Sequence, residues 1–108
     1  MSMIDIAALD DIPPQGARVV RTPHGCVAIF RTADDRVFAL DDRCPHKGGP
    51  LSEGIVHGTS VTCPLHNWVF DMATGRAQGA DRGQVATHPV QVEGGRIWLD
   101  ARALRRVA

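Results

Sequence analysis

Two short segments that each combine one cysteine with one histidine are the feature that most constrains this chain. The first, CPHKGGP, covers residues 44–50, and the second, CPLHNW, covers residues 63–68. Each begins just after a stretch that favours β-strand. The 16 residues between His46 and Cys63 are long enough for a loop and a hairpin that bring the chain back. We therefore expect a fold in which two loops at one tip of a sheet face each other.

The ligand types in these segments point to a metal centre. Thiolate and imidazole together suit zinc, copper or iron–sulfur centres. A zinc finger usually pairs Cys with Cys and His with His at local spacing, whereas each segment here mixes the two. The mixed spacing fits a Rieske [2Fe–2S] centre better, because there two histidines replace two cysteines on one of the irons. We predict that Cys44 and Cys63 bind one iron and that His46 and His66 bind the other.

The remaining cysteine and histidines are expected to lie outside this site. Three cysteines are an odd count without a disulfide framework. Cys26 lies in a predicted strand, and we expect it to be a buried thiol without a chemical role. His24, His57 and His88 stand at turns or strand ends with no cysteine paired to them.

Two segments beside the predicted ligands have competing interpretations. Asp41 and Asp42 could be read as an acid–base pair, but adjacent residues of a strand point to opposite faces, which favours a turn or a partner contact. Residues 75–83 are loop-like. They form either a third wall that shields the cluster from water or a surface connection between strands.

Charge and hydropathy exclude several classes of function. Twelve basic residues balance twelve acidic ones, so no overall field attracts the chain to nucleic acid or to anionic lipid. The longest strictly apolar run, residues 26–30, is far too short to cross a bilayer. The first residues also lack the basic stretch and apolar run of a secretory signal. We therefore expect a soluble, cytoplasmic protein that binds neither nucleic acid nor membranes.

Strand signals outweigh helix signals almost throughout the chain. Three hairpins are predicted around turn residues, with strand pairs at 26–30 and 37–40, 55–57 and 60–62, and 89–92 and 96–99. Short strands between turns predict an all-β fold, a small antiparallel sandwich or barrel with two cluster-binding loops at one tip. Trp68 and Phe70 are expected to anchor the second loop in the core.

The chain length predicts one domain over residues 1–108. Within it, we expect the cluster-binding subdomain at approximately residues 41–80 and a flexible tail at residues 101–108, where the composition changes.

The predicted cluster indicates one-electron transfer. Two ferric ions, two sulfides and two thiolates sum to about zero charge when the other ligands are neutral imidazoles, against about minus two with four thiolates. An electron is added more easily to the less negative centre. Because nothing in the chain binds a nicotinamide, we expect no catalysis by this chain alone.

Residues 44–52 (CPHKGGPLS), 54–58 (GIVHG) and 63–68 together resemble the Rieske-type small subunit of cytoplasmic NAD(P)H-dependent nitrite reductase. The similarity extends from residues 9–13 (LDDIP) to residues 92–97 (VEGGRI). The resemblance implies a large partner subunit that carries FAD, a [4Fe–4S] cluster and sirohaem and reduces nitrite to ammonium in nitrate assimilation. This chain would then be the electron-transfer subunit of that oxidoreductase, contributing its Rieske [2Fe–2S] cluster.

The chain departs from the high-potential Rieske proteins of respiratory complexes. Those proteins have an extra cysteine in each loop, which form a disulfide, whereas Gly49 and Leu65 stand in the corresponding places here. Their Ser and Tyr hydroxyl donors are also missing, since this chain has no tyrosine and Asn67 follows His66. The resemblance therefore implies a low reduction potential, on the order of -150 mV.

Two alternatives remain open on the sequence. A free Rieske ferredoxin that delivers electrons from a reductase to a ring-hydroxylating oxygenase would share the ligands and the low potential. A zinc-stabilised binding module would use the same cysteines and histidines for a structural ion.

Overall fold

Three antiparallel sheets make up this computed structural model, which describes residues 3–23, 25–44, 49–65, 67–78, 83–100 and 102. The strands are β1 (Met3–Ala8), β2 (Ala17–Thr22), β3 (Gly25–Arg31), β4 (Val37–Asp41), β5 (Ile55–His57), β6 (Ser60–Thr62), β7 (Val69–Asp71), β8 (Thr87–His88), β9 (Val90–Glu93) and β10 (Arg96–Asp100). Two 3-10 helices, Leu9–Asp11 and Leu51–Glu53, complete the regular structure of the described residues.

The three predicted hairpins are confirmed as β3–β4, β5–β6 and β9–β10. The turn residues explain why they form there. Gly94 and Gly95 both have positive φ, 61° and 74°, which glycine adopts without steric cost. Asp35 takes a similar conformation at 67° in the β3–β4 turn, where its carboxylate also accepts hydrogen bonds from Arg31.

The central sheet, in the order β2-β3-β4-β8, packs a different set of side chains on each face. Because successive residues of a strand alternate in direction, Ala28 and Phe30 of β3 enter one core while Val27 and Ile29 enter the other. All four are buried. This double burial explains why the sequence reads as a continuous apolar run at this strand.

We call the two cores the site-side core and the distal core. The site-side core lies between the central sheet and the β5-β6-β7 sheet and contains Ala28, Phe30, Leu40, Cys44, Leu51, Val56, Val61, Cys63, Phe70, Met72 and Val85. The distal core lies between the central sheet and the β1-β10-β9 sheet and contains Ile12, Val27, Ile29, Ala39, Ile97 and Leu99. The predicted all-β class is thus confirmed.

The first strand and the end of the chain meet in the distal layer. β1 pairs with β10, with Met3 opposite Asp100 and Ala8 opposite Arg96. The predicted tail at 101–108 lies outside the described residues except for Arg102, whose backbone N–H and guanidinium donate to the Asp100 carboxylate.

Candidate metal centre

Both cysteine–histidine loops lie at the same end of the β5-β6-β7 sheet. The first loop, residues 44–50, leads into the second 3-10 helix and from there into the start of β5. The second loop, residues 63–68, joins the end of β6 to the start of β7. The antiparallel register places Ile55 opposite Thr62, and Thr62 opposite Val69, so these three strand ends are adjacent. The loop arrangement predicted from the motif spacing is therefore present.

The first loop is closed at its base by hydrogen bonds. The N–H of Cys44 donates to the carbonyl of Gly49 over 2.8 Å. Just outside this pair, the Asp42 carboxylate accepts from the backbone N–H of Ser52 at 2.7 Å and from its hydroxyl at 2.8 Å. These contacts tie together the two ends of the loop, and the Cys44 side chain is buried in the site-side core.

The second loop is closed in a similar way around Cys63. The Cys63 N–H donates to the carbonyl of Trp68 over 2.7 Å, and its carbonyl accepts from the N–H of Asn67 over 3.2 Å. Asn67 has a φ of 59°, a left-handed conformation that asparagine tolerates better than most residues. Phe70 is fully buried and its ring centroid lies 6.3 Å from that of Trp68. The predicted anchoring role of these two aromatic residues is confirmed.

The two loops touch each other at Gly49. A Cβ atom built on Gly49 would lie 2.8 Å from both Cγ and Cδ1 of Leu65, and 3.4 Å from Sγ of Cys63. Gly49 at the end of the first loop thus lies close to the cysteine of the second. The two positions at which the respiratory proteins carry disulfide cysteines are accordingly neighbours here as well.

The two predicted imidazole ligands, His46 and His66, lie outside the described residues, as does His24. The other two histidines have polar partners of their own. His57 is exposed, with Nε2 2.7 Å from the hydroxyl oxygen of Thr62. His88 lies with Nε2 2.8 Å from a carboxylate oxygen of Asp41.

Asp41 and Asp42 serve different parts of the structure, as their adjacent positions predicted. Asp41 reaches His88 at β8, whereas Asp42 reaches Ser52 at the base of the first loop. An acid–base pair is therefore not formed. The sequence favoured a turn or a partner contact and did not reveal the bond to Ser52, because no local pattern signals a residue ten positions away.

The expected burial of Cys26 is wrong, because its side chain is exposed. It lies opposite Arg21 in the β2–β3 hairpin, one residue from the Thr22–Gly25 pair that closes the turn. At that position the strand has left both cores, so its β-propensity does not imply burial. No disulfide links Cys26, Cys44 and Cys63.

Residues 75–83 are tied along β7 at their described ends. The N–H of Gln78 donates to the carbonyl of Val69 over 2.8 Å, and the N–H of Ala77 donates to the carbonyl of Gly83 over 3.0 Å. Residues 79–82 lie outside the described residues. The segment connects strands as one interpretation predicted, while its shielding of a cluster stays a prediction.

The carboxyl groups whose pKa values are lowered lie away from both loops. In the β3–β4 turn, the Thr32 hydroxyl, and to a smaller extent Arg36, lowers the pKa of Asp34. At the end of β10, the Arg102 side chain and backbone lower the pKa of Asp100. No group of three or more potential metal ligands occurs among the residues that the structure describes. Within the same residues, no helix is long and apolar enough to cross a membrane.

Comparison with known proteins identifies the family. A Rieske-like [2Fe-2S] domain matches residues 2–100. The chain belongs to this Rieske-like family. A Rieske [2Fe–2S] cluster is accordingly its cofactor and electron transfer its activity, as predicted, and the zinc alternative is not supported.

Two proteins with similar sequence identity to this chain differ in length and in the role that their names give. The ferredoxin component of a naphthalene 1,2-dioxygenase system from Pseudomonas aeruginosa is 36% identical over 98 residues, which cover 90% of this chain and 93% of that protein. The 4beta-methylsterol monooxygenase of Methylococcus capsulatus is 34% identical over 99 residues, or 82% of this chain, but the match spans only 27% of that longer protein.

Solved structures that match include proteins of both roles predicted from the sequence. A protein from Mycobacterium tuberculosis, described as an NADH-dependent nitrite reductase small subunit, superposes with a TM-score of 0.81 at 27% identity, covering 91% of this chain and 93% of that one. A ferredoxin in complex with the oxygenase of carbazole 1,9a-dioxygenase superposes with a TM-score of 0.80 at 27% identity. The match covers 90% of this chain and 100% of that one.

The described half of the predicted ligand set fits such a cluster. A Rieske centre needs two thiolates and two imidazoles. Cys44 and Cys63 supply two buried sulfurs from two loops that touch each other. Burial of both cysteines would keep water from the thiolates of a cluster held there, which is one of the factors that set the potential of such a centre.

Proposed function

We propose that Cys44 and Cys63 bind one iron of the cluster and that His46 and His66 bind the other. The two cysteines are buried at the bases of two touching loops, and each histidine lies two or three residues further along its loop. When bound, the cluster supplies one-electron oxidation and reduction. The chain positions the two thiolates through the hydrogen bonds at each loop base and excludes water from them.

Substitution of the ligands tests this assignment. Cys44→Ser and His66→Ala should each abolish or strongly alter the Rieske absorption and electron paramagnetic resonance spectra, because each removes a bond to iron. Cys26→Ser and His57→Ala are matched controls, since both side chains are exposed and outside the two loops. Unchanged spectra in either ligand variant would refute the assignment.

For the physiological role, we infer a free Rieske ferredoxin that carries electrons from a reductase to a ring-hydroxylating oxygenase. The observation that carries this inference is the set of small relatives that match over nearly their whole length. Their identities are 33–36%, and all are ferredoxin components or subunits of dioxygenase systems. The proposed location is the cytoplasm, where an exposed thiol such as Cys26 stays reduced.

The small subunit of an NAD(P)H-dependent nitrite reductase is the second candidate. It is favoured by the loop motifs and by two superpositions, with TM-scores of 0.82 and 0.81, on proteins described as such subunits. Solved ferredoxin structures superpose at the same identities of 26–27%, so the preference for the ferredoxin role rests on the relatives at 33–36% identity. In this role the electron partner would be the large subunit with FAD, [4Fe–4S] and sirohaem.

Electron delivery to the two kinds of partner distinguishes these roles. The dithionite-reduced protein, freed of excess reductant, is mixed anaerobically with an oxygenase component or with a sirohaem-containing large subunit, each from the organism that encodes the chain. Reoxidation is followed by stopped-flow absorbance. The ferredoxin role predicts saturable, fast reoxidation by the oxygenase alone. Fast reoxidation by the sirohaem subunit alone would transfer the assignment to the second candidate.

A further inference from the structure

Leu65 is an exposed apolar side chain with an inward contact. Its exposed fraction is 53%, and it lies between Cys63 and the proposed ligand His66. The other large apolar side chains that are exposed among the described residues, Ile4, Val19, Ile55 and Val92, all lie on strands. Leu65 instead extends from one loop to the other, where its Cγ and Cδ1 occupy the space beside Gly49.

Gly49 is needed for the space it leaves rather than for its backbone conformation. It is not one of the glycines with positive φ, so an alanine could adopt its backbone angles. A Cβ there would nevertheless lie 2.8 Å from two atoms of Leu65, closer than van der Waals contact permits. The same Cβ would lie only 3.4 Å from Sγ of Cys63.

Gly49 also connects the two buried cysteines. Its carbonyl accepts the N–H of Cys44 over 2.8 Å, while its Cα faces Cys63 and Leu65. A displacement of Gly49 away from the second loop would therefore move Cys44 relative to Cys63. The contact between Leu65 and Gly49 is thus placed where it can fix the separation of the two sulfurs.

We propose that Leu65 is a positioning residue, which holds the two cluster loops in register by packing against Gly49. This inference rests on the proposed ligand set. Leu65 touches the first loop through carbon atoms, so it acts through the backbone at Gly49 and not as a ligand. Since its other side is exposed, it can rotate into water when Gly49 gains a side chain, and the inter-loop contact is then lost.

A double-mutant cycle tests the contact. Gly49→Ala and Leu65→Ala remove the same interaction by different means, so their effects should not add. Each protein is loaded with its cluster, and the half-time of cluster loss to an iron chelator is measured by visible absorbance. Each single variant should lose the cluster about five to ten times faster than the unsubstituted protein, a factor that corresponds to about 1–1.4 kcal/mol.

The double variant should lose the cluster no faster than the quicker of the two single variants. Ile55→Ala is the matched control, because Ile55 is a large apolar residue that is 70% exposed and lies in β5, outside both loops. Its half-time should stay within about twofold of the unsubstituted protein. Multiplied effects in the double variant, or equal acceleration by Ile55→Ala, would overturn the proposal.

Thermal midpoints of the apoproteins keep this test separate from the ligand assignment. If the unsubstituted protein binds no cluster, the proposed ligand set fails, and the same cycle in thermal midpoints still decides whether the loops are coupled. Non-additive midpoints support the contact, and additive ones refute it. Should Gly49→Ala fold only in the Leu65→Ala background, the steric conflict is demonstrated directly, and Leu65→Val offers a milder variant for the kinetic measurement.

Discussion

The two cores on either side of the central sheet are closed by layers of very different regularity. β5, β6 and β7, which cover the site-side core, have three residues each. β1 and β10, which cover the distal core, have six and five residues and pair along almost their whole length. Short strands share few backbone hydrogen bonds, so the site-side layer depends on side-chain packing and on local bonds at the loop bases.

Because the two cores differ in this way, we expect substitutions in them to affect the free energy of unfolding and the retention of the cluster differently. Both cores contribute to the free energy of unfolding, since both contain large, fully buried side chains. Only the site-side core contains the two proposed thiolate ligands, Cys44 and Cys63. Substitutions of similar cost should therefore have different effects on the cluster, depending on which face of the central sheet they affect.

The largest effect is expected from core truncations on the two sides. Phe70→Ala should lower the free energy of unfolding by about 3–5 kcal/mol and Leu99→Ala by about 2–5 kcal/mol, because each leaves a cavity. At a temperature where both variants are folded, only Phe70→Ala should release the cluster faster. Denaturant unfolding and visible absorbance measure the two quantities, and equal release from Leu99→Ala would show that the cores are not separable.

A smaller effect is expected from the bonds at the base of the first loop. Asp42→Ala removes the acceptor of two hydrogen bonds from Ser52 and should cost about 2 kcal/mol, a typical value for bonds to a charged group. It should also accelerate cluster loss. Asp11→Ala is the matched control on the distal side, where the carboxylate accepts from the N–H of Ala8. The comparison fails if Asp11→Ala releases the cluster as fast as Asp42→Ala.

The smallest effect is expected in the distal layer, where Asp100 makes the stability depend on pH in acid. Arg102 lowers the pKa of Asp100 below its usual 3.8, so the ionised carboxylate stabilises the folded chain. That stability is fully present above the ordinary pKa and is lost as the pH falls through the lowered value. The apoprotein is used, because acid protonates cluster ligands.

Asp100→Asn should flatten the dependence of the unfolding free energy on pH below the ordinary carboxyl pKa of 3.8. Thermal or denaturant unfolding across this range measures it. A slope identical to that of the unsubstituted chain would mean that Asp100 does not contribute to the acid sensitivity.

Local signals in the sequence predicted the parts of the fold that depend on local chemistry. The β9–β10 hairpin follows from Gly94 and Gly95, and the pairing of two loops follows from the spacing of Cys44 and Cys63. β1 was not predicted, because its register with β10 joins residues more than 80 positions apart. Its alternation of apolar and polar side chains is also too irregular to signal a strand.

At the candidate site, too, local features were predicted from the sequence and contacts between distant residues were not. Cysteine and histidine types indicated the metal centre, but the bond between Asp42 and Ser52 and the packing of Leu65 against Gly49 became visible only in three dimensions. Each joins residues 10 to 16 positions apart whose types are common in loops. The exposure of Cys26 was missed for a related reason, since propensity predicts a strand without saying where it leaves the core.

The most direct test of the central claim is a low-temperature electron paramagnetic resonance spectrum of the anaerobically purified, dithionite-reduced protein, together with its metal content. Two loops that supply two thiolates and two imidazoles predict a reddish-brown protein with about two irons per chain and a rhombic Rieske signal. A colourless protein that contains one zinc ion per chain and gives no such signal would contradict it.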